Sequence, residues 1–356
     1  MTIKSLDGLR GLAVLLVFLS HMSLEQINLL PALDFSGMGK AGVYLFFSLS
    51  AFLLTWQALD AGESALSHPR YWAGYLLRRI LRIYPLYIVA LLVSLVLTGF
   101  APGYTPRIDS PQDLLGHLVL LEGTSIYWAI PVEFTYYLLL PGVALALYYA
   151  RQLHSLAPLA LSLAAIATSS MIWPAAETQA NSIQLGPYLG IFFIGSLAAS
   201  FCSDDRLKNY VDQHHLLSVI GFAALLIAGL TVPALWRCLF DPEATNRVFH
   251  KEFLFYGLLW GLCILAAMRG NRSFTALFEW EPLRFLGRIS FSVYLWHYLV
   301  VQLVARDIPI HSSLQFLLVF AAVLPLSWLS YRVIERPFIN WGHRTTNHWH
   351  RPTSAA

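Results

Sequence analysis

Two ionisable residues stand eleven positions apart in an apolar stretch near the N-terminus. Arg10 and His21 would share one face of a helix, because eleven residues make about three turns and a rise of about 16 Å. An extended molecule lying along this face could contact both side chains. Histidine titrates near neutral pH and can act as a general base. Taken alone, the two residues are also explained by a topological arginine and a hydrogen-bonded core histidine.

Three arginines near the start of a later apolar stretch form a second group. Arg78, Arg79 and Arg82 lie within five residues, and Arg79 and Arg82 share a helix face. Guanidinium groups bind phosphate oxygens through paired hydrogen bonds and stay charged in a partly dry site. The spacing therefore predicts a site for an anionic nucleotide, and the alternative is a basic anchor at the cytoplasmic surface.

A carboxylate is predicted at the same membrane depth as His21. Glu133 lies near the start of another apolar stretch, where an unpaired charge would cost roughly 2.5 to 3.5 kcal/mol. We therefore expect Glu133 to face a partner inside the bundle, and we predict that this partner is His21. Such a pair would orient the imidazole and let it take a proton from a hydroxyl, as in acyl transfer to an alcohol. A structural salt bridge between helices is the alternative.

Four further residues are predicted to line the same cavity: Ser50, Tyr84, Trp128 and His297. His297 is a second histidine at membrane depth, and it could instead bond a backbone carbonyl. Ser50 could be a nucleophile by its type, but small hydroxyl residues are common at helix contacts in membranes. The sequence therefore leaves the role of each of these four residues open.

Hydrophobic helices must position all of these residues. Hydrophobic residues make up 57% of the 356 and charged residues 12%, and the mean hydropathy of +0.59 lies outside the range of soluble domains. Ten apolar stretches have about the length of a membrane span. They cover residues 6–24, 42–59, 75–100, 127–150, 156–173, 185–202, 216–236, 253–268, 289–305 and 314–333. We therefore predict an all-α membrane protein, a single bundle of about ten transmembrane helices.

Basic residues predict the orientation of the bundle. With the N-terminus in the cytoplasm, 17 of the 23 lysines and arginines fall inside and six outside, as the positive-inside rule favours. The even number of spans then places both termini in the cytoplasm. The six outside residues are Lys40, Arg107, Arg237, Arg247, Lys251 and Arg306. The net charge of +3 is small and follows the helix ends, so it does not indicate a nucleic-acid partner.

The chain is predicted to form one membrane domain and a tail. We assign residues 1–337 to the domain and residues 338–356 to a polar, loosely ordered cytoplasmic tail. The longest external loop, residues 101–125, contains an apolar piece at 114–121 that could form a re-entrant or surface helix. No cysteine or carboxylate set complements the tail histidines His343, His348 and His350, so we expect no metal site.

Several short motifs, taken in order, resemble those of the acyltransferase 3 family of bacterial membrane proteins. The first is LDGLRG at 6–11, in which ten residues separate Arg10 from His21. The others are GVYLFFSLS at 42–50, Arg79-x-x-Arg82 before Ile83-Tyr84-Pro85, Trp128 with Glu133 and Pro141, LGRIS at 286–290, YLWH at 294–297 and Glu335-Arg336-Pro337. They span residues 6–337, nearly the whole chain. One departure is Ala51, where the family usually has glycine, and the chain resembles the stand-alone form without a fused extracellular domain.

The resemblance implies an O-acetyltransferase of the bacterial inner membrane. Its donor would be acetyl-CoA or a related acyl-CoA, a co-substrate and not a permanently bound cofactor. Its acceptor would be a hydroxyl of an envelope glycan or lipid-linked sugar, such as O-antigen or exopolysaccharide. His21 and Glu133 would be catalytic, and Arg10, Arg78, Arg79 and Arg82 would bind the acyl-CoA. Direct transfer and an acyl-histidine intermediate both stay open, as do the acceptor, the acyl length and the oligomeric state.

A proton-coupled secondary transporter or flippase is the main alternative function. Intramembrane histidine, glutamate and arginine also build proton-coupled substrate pathways. The chain shows no pair of similar halves and no matched pair of broken helices, which such transporters usually contain. A membrane scaffold would leave the ionisable residues without a purpose. The sequence therefore favours the enzyme.

Overall fold

The computed structural model describes residues 3–30, 33–101, 103–204 and 215–347, and these form α-helices without a β-strand. The α-helices are α1 (Lys4–Leu24), α2 (Gly39–Leu66), α3 (Pro69–Phe100), α4 (Pro111–Leu118), α5 (Ala129–Leu153), α6 (Ala157–Ile172), α7 (Leu189–Ser203), α8 (Leu216–Leu230), α9 (Pro233–Leu239), α10 (Phe253–Arg269), α11 (Arg272–Glu279), α12 (Glu281–Arg288), α13 (Ser290–Asp307), α14 (Ser312–Ser330) and α15 (Arg336–Thr346). Short 3₁₀ helices cover Ser125–Trp128, Ala175–Glu177 and Gly186–Tyr188, and a π-helix covers Tyr331–Glu335. The predicted all-α class is confirmed.

The described part of the chain contains six helices that are long and apolar enough to cross a membrane, or eight if each of two bent pairs is one span. The six are Lys4–Leu24, Gly39–Leu66, Pro69–Phe100, Ser125–Leu153, Gly186–Ser203 and Ser312–Thr346, and the bent pairs are α8 with α9 and α10 with α11. The chain is thus consistent with a multi-pass membrane protein, but the predicted number of ten is not confirmed. The location of both termini in the cytoplasm stays a prediction.

The two remaining predicted spans do form helices, α6 and α13, which fall short of a span for different reasons. The 16 residues of α6 reach about 24 Å, less than the roughly 30 Å of a hydrocarbon core. The polar side chains of His297, Gln302 and Arg306 lower the hydropathy of α13. His297 and Gln302 are fully buried within the bundle, whereas Arg306 is exposed at the end of α13.

The helices α1 and α2 form the centre of the bundle. Helix α1 packs against α2, α12 and α13, and α2 also packs against α5, α7 and α10. Small residues let these backbones approach. A Cβ atom on Gly42 would lie 2.5 Å from the carbonyl oxygen of Ala13, and one on Gly195 would lie 2.4 Å from that of Ser48. Close contact through glycine is typical of helix pairs in membranes.

The LDGLRG motif fixes the N-terminal half of α1 against α11 and α12. A Cβ atom on Gly8 would lie 1.9 Å from the carbonyl oxygen of Phe278, and one on Gly287 would lie 1.8 Å from that of Asp7. No side chain fits at either contact. These contacts set the rotation of α1 about its axis and so the direction in which Arg10 points.

Helix α15 continues the last span beyond the predicted domain boundary. It packs on α3, where Nη1 of Arg78 donates to Oγ1 of Thr346 at 2.8 Å. Residues 338–346 are therefore helical, and the prediction of a loosely ordered tail was wrong for them, because Pro337 suits the first turn of a helix and α3 offers a packing surface. The rest of the predicted tail, residues 348–356 with His348 and His350, lies outside the described residues.

The apolar piece of the long loop forms a short helix, α4, at the N-terminal side of its predicted position. Ser110 caps it by accepting a hydrogen bond from the backbone nitrogen of Asp113 at 3.1 Å. The hydroxyls of Tyr84 and Tyr87 on α3 donate to the carbonyl groups of Leu118 and His117. These bonds tether the loop to helix α3.

Candidate functional site

Three arginines line one cavity between α1, α2, α3, α5 and α13. Arg10, Arg79 and Arg82 converge there from two helices, around a volume of about 170 Å³. We call it the arginine cavity. Its other polar lining residues are Ser50, Gln57, Glu133, Tyr137, Ser290 and Tyr294. The predicted convergence of Arg10 with the arginine pair of α3 is thus what the structure shows.

The arginine cavity is suited to an anionic group. Nε of Arg79 is buried and has no hydrogen-bond partner within the described residues. A buried donor without a partner is costly, and such groups often mark a site that a ligand completes. Three guanidinium groups face a single lining carboxylate, Glu133, and Arg10 lies 3.7 Å from Asp7 at the edge. The excess of positive charge favours a phosphate or carboxylate ligand.

Glu133 ends a short chain of hydrogen-bonding groups within the arginine cavity. The hydroxyl of Tyr137 donates to Oε1 of Glu133 at 2.6 Å and lies 3.2 Å from Oγ of Ser50. Tyr137 was missed by the sequence analysis, although it stands one helical turn after Glu133 and so faces the same side. These hydrogen bonds hold the Glu133 carboxylate on the side of the cavity that carries the arginines.

A second cavity, of about 520 Å³, adjoins the first along α1. His21 lines it together with Ser20, Lys40, Ser125, Trp128, Arg247 and His250. We call it the histidine cavity. Val43 and Tyr294 line both cavities and so stand between them. Arg10 and His21 therefore belong to neighbouring cavities at the two ends of one helix.

His21 pairs with His297 and not with Glu133. Nδ1 of His21 lies 2.8 Å from Nε2 of His297, and the two rings are tilted by 35° with their centroids 5.0 Å apart. Glu133 lines the arginine cavity, where Tyr137 is its partner. The predicted His21–Glu133 hydrogen bond is absent from the described residues. Equal depth on two helices did not imply contact, because rotation about each axis decides which way a side chain points.

The hydrogen bonds of His297 determine which nitrogen of His21 is basic. Nδ1 of His297 lies 2.8 Å from the carbonyl oxygen of Tyr294 and 3.0 Å from that of Val293. Carbonyl oxygens only accept, so Nδ1 of His297 carries the proton, and Nε2 of the neutral ring accepts from Nδ1 of His21. Nε2 of His21 is then the unprotonated nitrogen. A histidine oriented in this way can remove a proton from a hydroxyl.

The remaining predicted site residues separate into two groups. Ser50 lines the arginine cavity and Trp128 the histidine cavity. Arg78 and Tyr84 line neither, because Arg78 turns to Thr346 and Tyr84 to Leu118. His297 is fully buried behind His21, so its predicted place in the cavity wall was wrong while its bond to a backbone carbonyl is present.

Lys40 was missed by the sequence analysis of the site. It lies in the first turn of α2, with Nζ 2.6 Å from Oδ1 of Asn181 and 3.7 Å from the ring centre of Trp128. A cation in the first turn opposes the helix dipole, so a structural role alone does not favour lysine there. This unfavourable placement beside an apolar span is a signal that could have identified it.

Comparison with known proteins gives a consistent result. A family model described as "Acyltransferase domain" matches residues 3–332. The peptidoglycan O-acetyltransferase OatA of Listeria monocytogenes is 25% identical over 95% of this chain and 57% of its own length. The O-acetyltransferase OatA of Staphylococcus aureus is 23% identical over 96% of this chain and 58% of its own length. The chain thus spans somewhat more than half of these relatives. No solved structure matches it.

Proposed function

The chain belongs to this acyltransferase family, and we propose that it transfers an acetyl group from acetyl-CoA to a hydroxyl of a cell-envelope glycan in the bacterial inner membrane. The sequence resemblance left O-antigen and other polysaccharides open as acceptors. The named relatives act on peptidoglycan or are named as O-acetyltransferases, which makes a peptidoglycan glycan strand the first acceptor to test.

The arginine cavity is the proposed donor site. Its three guanidinium groups and the unpartnered Nε of Arg79 fit an anionic donor such as the phosphates of coenzyme A. Ligand pockets usually enclose about 300 to 1,000 Å³, so a cavity of about 170 Å³ fits an extended arm better than a whole nucleotide. In this proposal the phosphates of the donor contact the arginines, the nucleotide lies at the mouth of the arginine cavity, and the acyl-bearing arm extends into the cavity.

The main support for the proposal is that the arginine cavity and the histidine cavity lie next to each other. Along α1 the distance from Arg10 to His21 is about 16 Å, and an extended pantetheine arm has roughly this reach. Only Val43 and Tyr294 are shared by the two linings. A donor bound by the arginines would thus bring its thioester towards His21, which faces the larger cavity in which an acceptor fits.

The chemical step needs only one base. Nε2 of His21 takes the proton of the glycan hydroxyl, and the oxygen attacks the thioester carbon. The tetrahedral intermediate then expels the thiolate of coenzyme A as the carbon–sulfur bond breaks, and the thiolate takes the proton from the imidazolium. The products are the acetyl ester and coenzyme A. In this scheme His297 replaces Glu133 as the partner that orients His21.

A transfer assay on the purified 356-residue chain tests the proposal. With acetyl-CoA labelled in its acetyl group and isolated glycan strands, label should appear in an ester that mild alkali releases. We expect His21→Gln to abolish transfer, because glutamine cannot accept the hydroxyl proton. His154→Asn is the matched control, since His154 is exposed beyond the end of α5 and remote from both cavities.

Two results would overturn the proposal. One is full transfer by His21→Gln, which would remove His21 as the base. The other is movement of an unmodified glycan precursor across proteoliposomes without consumption of acetyl-CoA, which would favour the transporter. Loss of activity in both His21→Gln and His154→Asn would point to damaged folding, so the thermal unfolding of each variant is measured alongside.

A further inference from the structure

A larger space, which we call the vestibule, adjoins the histidine cavity. The vestibule has a volume of about 880 Å³ and shares Lys40, Ala180, Asn181, Arg247 and His250 with the histidine cavity. The two spaces are therefore neighbours. Together they exceed the usual volume of a small-molecule pocket, so they suit a chain of several sugar units.

Two of the other basic residues predicted to lie outside pair with carboxylates, unlike Lys40 and Arg247. Arg107 pairs with Asp109 at 2.5 Å, and Arg237 pairs with Asp34 at 3.2 Å. Lys40 instead contacts the neutral Asn181 and Trp128, and the Arg247 guanidinium has no partner within the described residues.

The positive charge of the histidine cavity therefore has no counter-charge in its wall. Its described lining contains Lys40 and Arg247 but no aspartate or glutamate. Two carboxylates, Glu177 and Glu252, line the vestibule and not the histidine cavity. Cations in a partly dry cleft of one sign attract an anion more strongly than the same cations would in water.

His250 does not add to this charge at neutral pH. Burial, and next the neighbouring charge of Lys40, lower the pKa of His250 to about 4. The ring is therefore neutral above that pH, and it lies 3.1 Å from the carbonyl oxygen of Gly37, to which a protonated nitrogen donates. Lys40 and Arg247, rather than His250, are thus the groups that can hold an anion beside His21.

We propose that Lys40 and Arg247 bind an anionic group of the acceptor, so that the acceptor is a saccharide bearing a carboxylate or a phosphate near the hydroxyl that is modified. This inference rests on the proposed function and names the substrate class of the same site. The sugar hydroxyl would face His21, with the anionic group towards the vestibule. Asn181, Asn246 and Ser125 supply amide and hydroxyl groups for the neutral part of the sugar.

Binding to matched saccharides tests the proposal without the donor. The probes are a β-1,4-linked N-acetylhexosamine oligomer that carries one carboxylate, its methyl ester, and that methyl ester linked to a lipid diphosphate. Dissociation constants are measured on the detergent-purified 356-residue chain. We expect the acid to bind about tenfold more tightly than the ester, because the ester offers Lys40 and Arg247 no anionic partner.

Two variants and one control assign the effect to the cavity. Lys40→Gln should remove most of the tenfold preference for the acid over the ester, and Arg247→Gln about twofold of it, less than Lys40 because Arg247 is exposed. Arg107→Gln removes one charge of the same predicted side, from a residue that pairs with Asp109 and lines neither space. We expect this control to keep the preference of the wild type.

The same binding measurements can contradict the proposal or locate the anion. Equal affinity for acid and ester in the wild type, or an equal loss in Arg107→Gln, would overturn the proposal. Stronger binding of the carboxylate than of the lipid diphosphate would place the anion on the sugar, and the reverse order would place it on the lipid carrier. Because donor and transfer are absent from the measurement, failure of the acetyl-transfer proposal would show only in the transfer assay.

Discussion

At the scale of single residues, the pairing with His297 explains how the neutral imidazole of His21 is held in one tautomer and orientation. His297 accepts from His21 because its own Nδ1 is committed to backbone carbonyls one turn earlier. This is the role that an orienting carboxylate has in many hydrolases, here filled by a neutral group. A neutral partner avoids the cost of placing a second charge at membrane depth.

Replacing His297 tests this role directly. His297→Leu removes the acceptor, so His21 loses its fixed tautomer, and we expect kcat to fall about 10- to 100-fold, as for other lost orienting partners of histidine. His297→Gln keeps an acceptor oxygen on a side chain of similar reach and should retain more activity. The tautomer of His21 is read from the chemical shifts of ¹⁵N-labelled histidine.

Glu133→Gln is the matched control for that measurement. Glu133 lies with Tyr137 in the arginine cavity, so its replacement should leave the His21 tautomer unchanged. If Glu133→Gln shifted the tautomer and His297→Leu did not, the pair predicted from the sequence would be the functional one. Activity alone would not separate these cases, because Glu133 also lines the proposed donor site.

Arg79 and Arg82 of α3 should affect the binding of acetyl-CoA, and the neighbouring Arg78 should not. Arg82→Gln removes a guanidinium group from the arginine cavity, so we expect the KM for acetyl-CoA to rise about tenfold with a smaller change in kcat. Arg78→Gln removes the same charge from the same turn, but Arg78 donates to Thr346 on α15. A comparable rise in KM for Arg78→Gln would contradict the division that the structure makes.

Residue types and spacing predicted which side chains carry the chemistry but not all of their partners. The three-residue spacing of Arg79 and Arg82 sufficed, because helix periodicity places both on one face. The partner of His21 could not be predicted in this way. It depends on how α1, α5 and α13 are rotated against one another, which the packing of glycines and aromatic side chains determines.

At the scale of elements, the sequence predicted where helices occur better than where they bend. The apolar stretch at 216–236 reads as one span, but the structure divides it into α8 and α9 at an angle of 83°. Pro233 lies at the start of α9, where proline ends the preceding helix. The predicted helix at 253–268 ends in a bend of 102° to α11. Hydropathy measures apolar length and is insensitive to direction, so these bends did not appear in it.

The contact of α1 with α12 is the element-scale feature most sensitive to substitution. Gly287→Ala would place a Cβ atom 1.8 Å from the carbonyl oxygen of Asp7, so the two backbones must separate. We expect a loss of about 1 to 3 kcal/mol or more in stability, the usual range for overpacking. Thermal unfolding of the purified chain measures it, and transfer activity should fall because Arg10 shifts with α1.

Gly142→Ala provides the control for this substitution. Gly142 lies within α5, and a Cβ atom there would meet no atom within 4 Å. Alanine in a helix interior is more favourable than glycine by roughly 0.5 to 1 kcal/mol, so stability should be unchanged or slightly higher. If Gly287→Ala unfolded at the same temperature as Gly142→Ala, the tight contact would not be essential.

At the scale of the whole molecule, the two proposed substrates would reach their cavities from opposite faces of the membrane. The arginine cavity lies beside the N-terminal half of α1 and the histidine cavity beside its C-terminal half. Acetyl-CoA is made in the cytoplasm, whereas an envelope glycan lies outside or is carried on a lipid. The predicted orientation, with the N-terminus in the cytoplasm, therefore assigns each cavity to the side of its proposed substrate.

Native cysteines allow this orientation to be measured without engineered labels. Cys238 on α9 is exposed, whereas Cys202 and Cys263 are buried. Cys238 lies at the end of the molecule that bears the histidine cavity, because Arg237 beside it bonds to Asn246, which lines that cavity.

A membrane-impermeant maleimide added to intact spheroplasts should therefore label the wild type at Cys238 and leave Cys238→Ser unlabelled. Labelling only after the membrane is broken would place Cys238 in the cytoplasm. That result would invert the molecule, put the arginines outside with no access to cytoplasmic acetyl-CoA, and so remove the physical basis for transfer across the bundle.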